Sequence, residues 1–454
     1  MGGYEPGDTI VAPATPLAPS ALGILRLSGP RAWEIVKQLL ASPRSPISPR
    51  HSYVGQLKFN IEGIVITETA VLTFWAAPHS YTGEDVVEFS VHGSPVLLRH
   101  LILACTALGA RLAEPGEFTY RAYLNGKLDL AQAEAVHDVI TANSARALSL
   151  SEITLAGLHS AKAKAWVKEL TNLLAKIEVI HDYAASDLDA TLDPENLLTP
   201  SRLRIKLQQM TNELNQVVEA SKRAAPLREG IAVAICGPPN VGKSTLFNAL
   251  LGHERALTSS SPGTTRDYLA ETLDSEGIKL TLVDTAGYHD AAEAVEAAGV
   301  RRAGDWARAA DRVLWVSAAD LPPTPIPKAL TDIQPVQVIT RCDLVGSWPT
   351  PPTGGYCVSG KTSQGIPELW QALKGFVEEI AEPAIEAFGA RQAQQAEKAQ
   401  SHLESAKHSL DSGMPFDALA EDIYAARREL QAIYEQENRE AVIREIFRRF
   451  CVGK

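Results

Sequence analysis

The sequence predicts a multidomain chain of α+β and α/β class. It has an N-terminal α+β domain, a helical domain, and an α/β domain inserted into the helical one. Three observations predict this. Short β-type runs separated by turns fill residues 8–120. Residues 128–223 and the stretch after Pro383 keep helical spacing. Between those blocks, residues 229–378 alternate strands and helices around a glycine-rich turn, as a doubly wound nucleotide-binding domain does. A chain of 454 residues has room for about three domains. The expected divisions are 1–125, then 126–228 with 379–454, and 229–378 as the insertion.

In the N-terminal block, residues 23–27, 70–75 and 85–89 read as strands, and 96–108 as a helix before Pro115. In the next block Trp166, Leu170, Leu173, Leu174 and Ile177 fall on one helical face. The 189–200 loop and Pro226 are the expected breakers. After Pro383 a long helix is expected, with Leu430, Ile433, Tyr434, Ile443, Ile446, Phe447 and Phe450 keeping helical spacing. The proline-rich pieces 321–327 and 349–355 read as surface loops, and no internal repeat is present.

Composition excludes several classes. Apolar content of 45% and charged content of 21% are ordinary for a globular protein. Cys105, Cys236, Cys342, Cys357 and Cys451 show neither zinc-finger nor C-x-x-C spacing. That favours a reducing, cytoplasmic compartment. No apolar run is long enough to span a bilayer, and the first residues show no export signal, so no membrane partner is expected. A net charge of −11 argues against a generic nucleic-acid coat. The Arg444, Arg448 and Arg449 cluster reads better as a solvated helix face than as a phosphate contact.

Gly237-Pro238-Pro239-Asn240-Val241-Gly242-Lys243-Ser244-Thr245 fits the phosphate-loop pattern, with an apolar strand before it and a helix start after it. Such a turn aims backbone N–H groups and the helix dipole at phosphates. Lys243 would reach the β/γ-phosphates, and Ser244 would ligate Mg²⁺. Four further motifs select GTP. Gly263-Thr264-Thr265-Arg266-Asp267 stands where a switch segment would sense the γ-phosphate. Asp284-Thr285-Ala286-Gly287 is D-x-x-G at a strand end. Thr340-Arg341-Cys342-Asp343 occupies the N-K-x-D position, where the aspartate accepts from guanine N1–H and N2. Ser359-Gly360-Lys361 fits the last guanine-contacting loop. The expected GTP contacts are thus residues 240–245 (Asn240, Val241, Gly242, Lys243, Ser244, Thr245), the switch segment Ser259, Ser260, Ser261, Pro262, Gly263, Thr264 and Thr265, and the three later motifs.

Two positions depart from pattern. Threonine at 340 keeps a hydroxyl but loses the amide that usually bonds guanine N7 and braces the phosphate loop. Arg341 can still lay its stem and planar head over the base. Guanine selectivity is expected to survive through Asp343, with weaker nucleotide affinity. The other departure is Tyr288, where many GTPases carry a water-orienting glutamine. A monovalent cation held by the Asn240 carbonyl and by switch-loop oxygens would replace an arginine finger as charge stabiliser. Asp290, Glu293 and Glu296 are candidates to orient water, although spacing alone favours exposed helix charges.

The chain resembles the MnmE (also called TrmE) family of tRNA-modification GTPases over essentially its full length. Residues 8–12, 23–30, 80–88, 115–119, 124–130 and 132–135 carry the resemblance, and Phe450-Cys451-Val452-Gly453-Lys454 matches the family's F-C-x-G-K. The resemblance implies a homodimer with a folate-binding N-terminal domain. It also implies a flavin- and NADH-using partner of the MnmG/GidA type, together forming a heterotetramer. The pair would place an aminomethyl-type group on C5 of the tRNA wobble uridine, with a 5-formyl- or methylene-tetrahydrofolate as one-carbon donor. By position, Asn240, Ser259, Ser261 and Thr264 match the family's K⁺ segment, and Ser244 and Thr265 its Mg²⁺ ligands. Glu296 matches the water-orienting glutamate, which joins Lys243, Asn240 and Cys451 as the expected catalytic set. Arg26, Glu88, Lys127 and Lys454 match folate-contacting positions; arginine and lysine suit a glutamyl tail, and glutamate a pterin amine. Where the family usually has G-R-G-G, this chain has Ala18-Pro19-Ser20-Ala21, a stiffer and neutral segment. The competing readings are a GTP-switched ribosome-assembly factor that binds RNA without modifying it, and a scaffold whose hydrolysis has lapsed.

Overall fold

A computed structural model of the chain describes residues 7–42, 48–61, 63–142, 145–184, 199–229, 231–255, 270–275, 278–284, 310–323, 325–380, 385–435, 447, 450 and 453. It divides into two compact units. One comprises Met1–Ile140, Glu152–Leu214 and Gln394–Lys454; the other comprises Thr141–Ser151 and Asn215–Ala393.

The first unit is built on a six-stranded sheet in the order β3-β4-β5-β2-β1-β6. Its strands are β1 (Ile10–Pro13), β2 (Ser20–Ser28), β3 (Ser52–Ile61), β4 (Ile64–Trp75), β5 (Val86–Gly93) and β6 (Arg111–Leu112). Alternation in β2 buries Leu25 and Leu27, and β5 contributes Val87, Phe89 and Val91 to the same core. Helices α1 (Ala32–Leu39) and α2 (Pro95–Ala107) close that core with Ile35, Val36, Leu98 and Leu101. Helix α2 starts where the sequence says it should. Ser94 caps it by accepting from the Leu97 amide, and Pro95 takes the first turn, where a missing N–H costs nothing.

Helix α3 (Glu117–Leu124) carries the interaction that ties this sheet together. Arg121 is fully buried. Its guanidinium donates to Asp8 Oδ1 at 2.5 Å, Glu117 Oε1 at 3.0 Å and Glu84 Oε2 at 3.1 Å. Arg111, at the sheet edge, pairs with the other Asp8 oxygen at 2.8 Å and with Glu117 at 2.5 Å. Three carboxylates thus share two guanidiniums. Burial alone would lower the Arg121 pKa, but Glu84, Glu117 and Asp8 outweigh it and raise it. Burial would likewise raise Glu117; hydrogen bonds from Arg111, the Glu114 amide and Arg121 hold it below its ordinary value of 4.5 instead. The network extends outward from Glu84. Thr82 donates to Ser28 Oγ at 2.7 Å, and Ser28 donates to Glu84 at 2.7 Å.

The following helices are α4 (Leu130–Thr141), α5 (Ala145–Leu155), α6 (Leu158–Ala184) and α7 (Pro200–Glu229). The expected stripe on α6 is buried at Trp166, Leu170, Leu173, Leu174 and Ile177. Pro226, expected as a breaker, lies inside α7. Its fixed φ suits a helix, and in the last turn the missing amide removes a single backbone hydrogen bond. The 189–200 loop falls almost wholly outside the described residues.

The second unit holds a six-stranded sheet in the order β12-β11-β10-β7-β9-β8. Strand β7 (Ile231–Cys236) leads into α8 (Lys243–Arg255), then β8 (Ala270–Ser275), β9 (Ile278–Asp284) and β10 (Arg312–Ala318). After α9 (Lys328–Thr331) come β11 (Val336–Thr340), β12 (Tyr356–Cys357) and α10 (Ile366–Ile380). All neighbours are parallel except β8 and β9. One face is covered by Leu246, Phe247 and Leu250 of α8 with Leu369, Trp370 and Leu373 of α10. On the other, Val313 and Trp315 pack with Leu330. Residues buried on both faces explain the near-continuous apolar runs of β7 and β10.

Instead of the single long helix expected after Pro383, the chain forms α11 (Ala390–Asp411) and α12 (Phe416–Gln431). Gly413 in the left-handed region and Pro415 end one and start the next. In the first unit α12 packs along α6, burying Leu419, Ile423, Ala426 and Leu430. Ile433, Phe447 and Phe450 are buried as their spacing implies, whereas Ile443 and Ile446 lie outside the described residues.

Replacing Arg121 by Met leaves Glu84 without a guanidinium and Asp8 and Glu117 with Arg111 alone, and is expected to cost about 3–5 kcal/mol. Faster amide exchange in β1 and α3 would report this locally. Glu117 sets a pH dependence. Its lowered pKa contributes stability above the unfolded value of 4.5, and that contribution is lost as pH falls through the folded value. Denaturant midpoints measured down the acid range are expected to fall more steeply for wild type than for Glu117→Gln.

Candidate functional site

The phosphate-loop segment joins β7 to α8, beside the point where neighbouring strands depart to either side. Gly237 stands where only glycine fits, since a Cβ there would meet the Val316 carbonyl oxygen at 2.3 Å. Val241 is buried and anchors the loop, while Asn240 and Ser244 are exposed. Lys243 is buried, with Nζ donating to the carbonyls of Gly237 at 2.8 Å and Pro238 at 2.7 Å. Its charge therefore sits over the loop built to cradle phosphate.

Thr340 takes over the brace that an asparagine would supply. Its buried hydroxyl bonds the Val241 carbonyl and lies 3.0 Å from the Ser317 carbonyl, so one donor tethers β11 to the phosphate loop. The hydroxyl kept at 340 thus braces the loop where the amide is absent. Arg341, in the left-handed region, donates from Nη2 to the Asn240 carbonyl and from Nη1 to Asp320 at 3.3 Å. Asp343 is exposed at the turn that follows. Ser359 is buried, its oxygen accepting from the Thr362 amide at 3.1 Å, while Gly360 and Lys361 continue to the surface. The loop, the 340–343 turn and the 359–361 turn gather at the C-terminal ends of β7, β11 and β12.

Asp284 ends β9 as expected. Ser259, Ser260, Ser261, Pro262, Gly263, Thr264, Thr265, Thr285, Ala286, Gly287, Tyr288, Asp290, Glu293 and Glu296 lie outside the described residues, as do Cys451 and Lys454. Among the described residues there is no cluster of three or more His, Cys, Asp or Glu side chains able to hold a metal. No described helix is long and apolar enough to cross a membrane.

A second site lies in the first unit. Arg26 and Glu88 are direct cross-strand partners of β2 and β5, and their side chains pair at 2.6 Å. The Arg26 guanidinium lies 5.7 Å from the ring centres of both Tyr81 and Phe118, and Nη1 reaches the Gly453 carbonyl at 3.4 Å. Gly453 is required there: its φ is +100°, and a Cβ would meet the Pro13 carbonyl at 2.1 Å. Phe447 and Phe450, 5.3 Å apart, pack with Ala133 and Val136 and hold the terminal segment to the domain. A cavity of about 310 Å³ opens beside the Arg26–Glu88 pair, lined by Arg50, Trp75, His79, Ser80, Tyr81 and Glu88. Lys127 Nζ bonds the Pro78 carbonyl on the same loop at 3.1 Å. Sequence reasoning missed Arg50, Trp75 and His79, which no spacing rule singles out; Ser80 and Tyr81 were visible only as part of a matching segment. Residues 20 and 21, at the unusual Ala18–Ala21 position, form the exposed start of β2, with irregular pairing between Ser20 and Leu22.

The braced loop at the end of β7, with the 340–343 and 359–361 turns beside it, defines a P-loop nucleotide-binding protein. Comparison with known proteins narrows the class. The family model described as the MnmE helical domain matches residues 130–451, and that of the GTP-binding protein TrmE N-terminus matches residues 9–127. The tRNA modification GTPase MnmE of Xanthomonas euvesicatoria pv. vesicatoria is 38% identical over 458 residues, covering 98% of this chain and 99% of its own. A protein of the same name from Thermus thermophilus is 38% identical over 454 residues, with the same coverage. A solved structure, the G domain of the T. maritima FeoB iron transporter, matches at 22% identity and a TM-score of 0.22, covering 34% of this chain and 99% of its own. The chain belongs to the MnmE (TrmE) family.

Thr340→Val removes the hydroxyl while keeping the shape. Leaving buried carbonyls unsatisfied is expected to cost about 1–3 kcal/mol. Nucleotide affinity should fall and amide exchange across residues 238–242 should rise, whereas Thr340→Ser should retain most of both.

Proposed function

We propose that this protein is a potassium-dependent GTPase that acts in tRNA wobble-uridine modification. With a flavoprotein partner of the MnmG/GidA type it adds an aminomethyl-type group to C5, using a tetrahydrofolate one-carbon donor. The observation that carries the reading is the near-full-length similarity to proteins named tRNA modification GTPase MnmE, which spans both units. A ribosome-assembly switch would need the nucleotide unit but has no use for the N-terminal cavity.

The donor set suits the groups assigned to it. Exposed Ser244 opens α8 beside Lys243, the position from which a hydroxyl would hold Mg²⁺ together with Thr265. Exposed Asn240 would offer its side-chain amide oxygen to K⁺ at the loop tip, with Ser259, Ser261 and Thr264 as its proposed companions. Lys243 would hold the β/γ-phosphates, and Glu296 would orient the attacking water. A metal ion there would neutralise charge developing on the phosphate oxygens. Asp343 would read guanine, with Arg341 lying along the base as it lies along the loop.

The cavity supports the folate assignment. At about 310 Å³ it is at the small end of ligand sites, with aromatic walls from Trp75 and Tyr81 and a carboxylate at Glu88. Glu88 would accept from a pterin amine and ring N–H. Arg26 holds Glu88 in place, and Lys127 and Lys454 would meet the glutamyl tail. Cys451, two residues before Gly453 in the sequence, would be the candidate chemical group.

The deciding measurement is GTP turnover of the purified protein in potassium against sodium. Turnover is expected in potassium, with at least about a tenfold fall in sodium and for Asn240→Ala, as loss of a charge stabiliser requires. Equal turnover in both salts would remove the potassium claim, and no turnover in either would favour a scaffold. Loss of C5-modified uridines from tRNA on gene deletion would support the modification role; unchanged nucleosides would remove it. In competition GTP is expected to exclude ATP, and equal binding of the two would remove Asp343 as the base reader.

A further inference from the structure

Arg341 reaches past a neighbouring strand to hold the phosphate loop. The sheet order places β10 between β7 and β11. Arg341 follows β11, and its Nη2 donates to the Asn240 carbonyl in the loop after β7. A Cβ built on Gly242 would stand 3.8 Å from Arg341 Nε, so the side chain lies along the loop. Between the two strands, β10 ends in a turn over residues 318–321, closed by the Leu321 amide on the Ala318 carbonyl at 3.3 Å. The Ala319 amide bonds the Thr340 carbonyl at 2.9 Å and ties that turn to the end of β11. The turn presents Asp320, whose carboxylate accepts from Arg341 Nη1 at 3.3 Å. No motif of the sequence singles out Asp320.

We propose that Asp320 is a positioning residue for nucleotide binding: it fixes the Arg341 guanidinium, which in turn aims the Val241 amide at the phosphates. The proposal rests on the assignment of residues 237–245 as the phosphate loop. The link from carbonyl to amide is covalent. In a trans peptide the carbonyl oxygen and the N–H of the next residue point in opposite directions across one rigid plane. Holding the Asn240 carbonyl on the Arg341 side therefore turns the Val241 N–H away from Arg341, to the side where the amides of such a loop gather on phosphate. Asn240 also sits at φ +61°, a left-handed conformation that asparagine tolerates and that the held carbonyl keeps in place.

The residue types matter. A guanidinium is a planar fork with donors at fixed angles, so anchoring Nη1 on Asp320 sets where Nη2 points. Lysine, the usual residue at this place in the N-K-x-D pattern, carries one nitrogen on a flexible stem and gains no direction from an aspartate beside it. The side chains of Arg341 and Asp320 are 34% and 29% exposed. An ion pair that open to water adds little to fold stability. Its contribution is directional: without Asp320 the guanidinium turns toward solvent, and the Asn240 carbonyl loses its fixed donor.

The test titrates the full-length protein with a fluorescent GDP analogue. Asp320→Ala is expected to weaken binding about fivefold, the scale of one partly exposed ion pair. Asp320→Asn keeps an acceptor oxygen in place and should retain most of the affinity. Arg341→Lys should lose about as much as Asp320→Ala. Because the aspartate acts through the arginine, the double variant should be no weaker than either single one, whereas independent roles would multiply to about 25-fold. Amide exchange should rise across residues 238–242 and stay unchanged in β10, which separates positioning from a local loss of fold. Unchanged affinity in Asp320→Ala, failure of Asp320→Asn to rescue it, or a multiplied loss in the double variant overturns the proposal. The unsubstituted protein separates the two readings. No binding of the analogue there removes the phosphate-loop assignment and the proposal together, while binding that ignores Asp320 removes the proposal alone.

Discussion

One buried guanidinium organises the N-terminal sheet. Arg121 gathers Asp8 from ahead of β1, Glu84 from the loop before β5, and Glu117 from its own helix, while Arg111 at the sheet edge shares Asp8 and Glu117 with it. Such a cluster is costly to desolvate and stands only with every partner present. Its geometry therefore specifies where three separate chain segments meet. The loop that walls the cavity is set by the same network. Ser80 donates to the Glu84 carbonyl at 2.5 Å, and Thr82 connects through Ser28 to the Glu84 carboxylate. Tyr81 is thereby placed against Arg26, and Arg26 against Glu88.

The nucleotide unit meets a similar demand with neutral acceptors. A loop that turns its amides toward phosphate leaves carbonyls pointing inward, and these need donors. Lys243 serves Gly237 and Pro238, Thr340 serves Val241, and Arg341 serves Asn240. The loop's shape is thus held by side chains from its own helix and from the end of β11, a strand far away in sequence. A threonine suffices at 340 because the brace requires one donor at that place rather than an amide. The same tethering makes the loop sensitive to any movement of the 340–343 turn.

Much of this was legible in the sequence. Period-two and helical patterns located β2, β4, β5, α2 and the buried stripe of α6. The order of the nucleotide motifs located the second site. What pattern reading missed shares a cause. Pro226 breaks a helix by local rule, yet in the last turn its cost is a single hydrogen bond. The C-terminal helical pattern hid the Gly413–Pro415 turn, because apolar spacing continued on either side. Arg50, Trp75 and His79 reach the cavity from ahead of β3, the end of β4 and the turn after it, which no local window brings together.

The sequence alone determined the class of the nucleotide unit and its likeness to the MnmE family, because phosphate binding depends on a short contiguous stretch of backbone and on residue types at fixed spacing. It also specified which faces are apolar, since helix and strand periods are local geometry. Only the tertiary structure decided which charges meet at Arg121 and which hydroxyl braces the phosphate loop. Those are contacts between segments far apart along the chain. Their partners are chosen by strand register and burial, and neither is written in any single stretch of sequence.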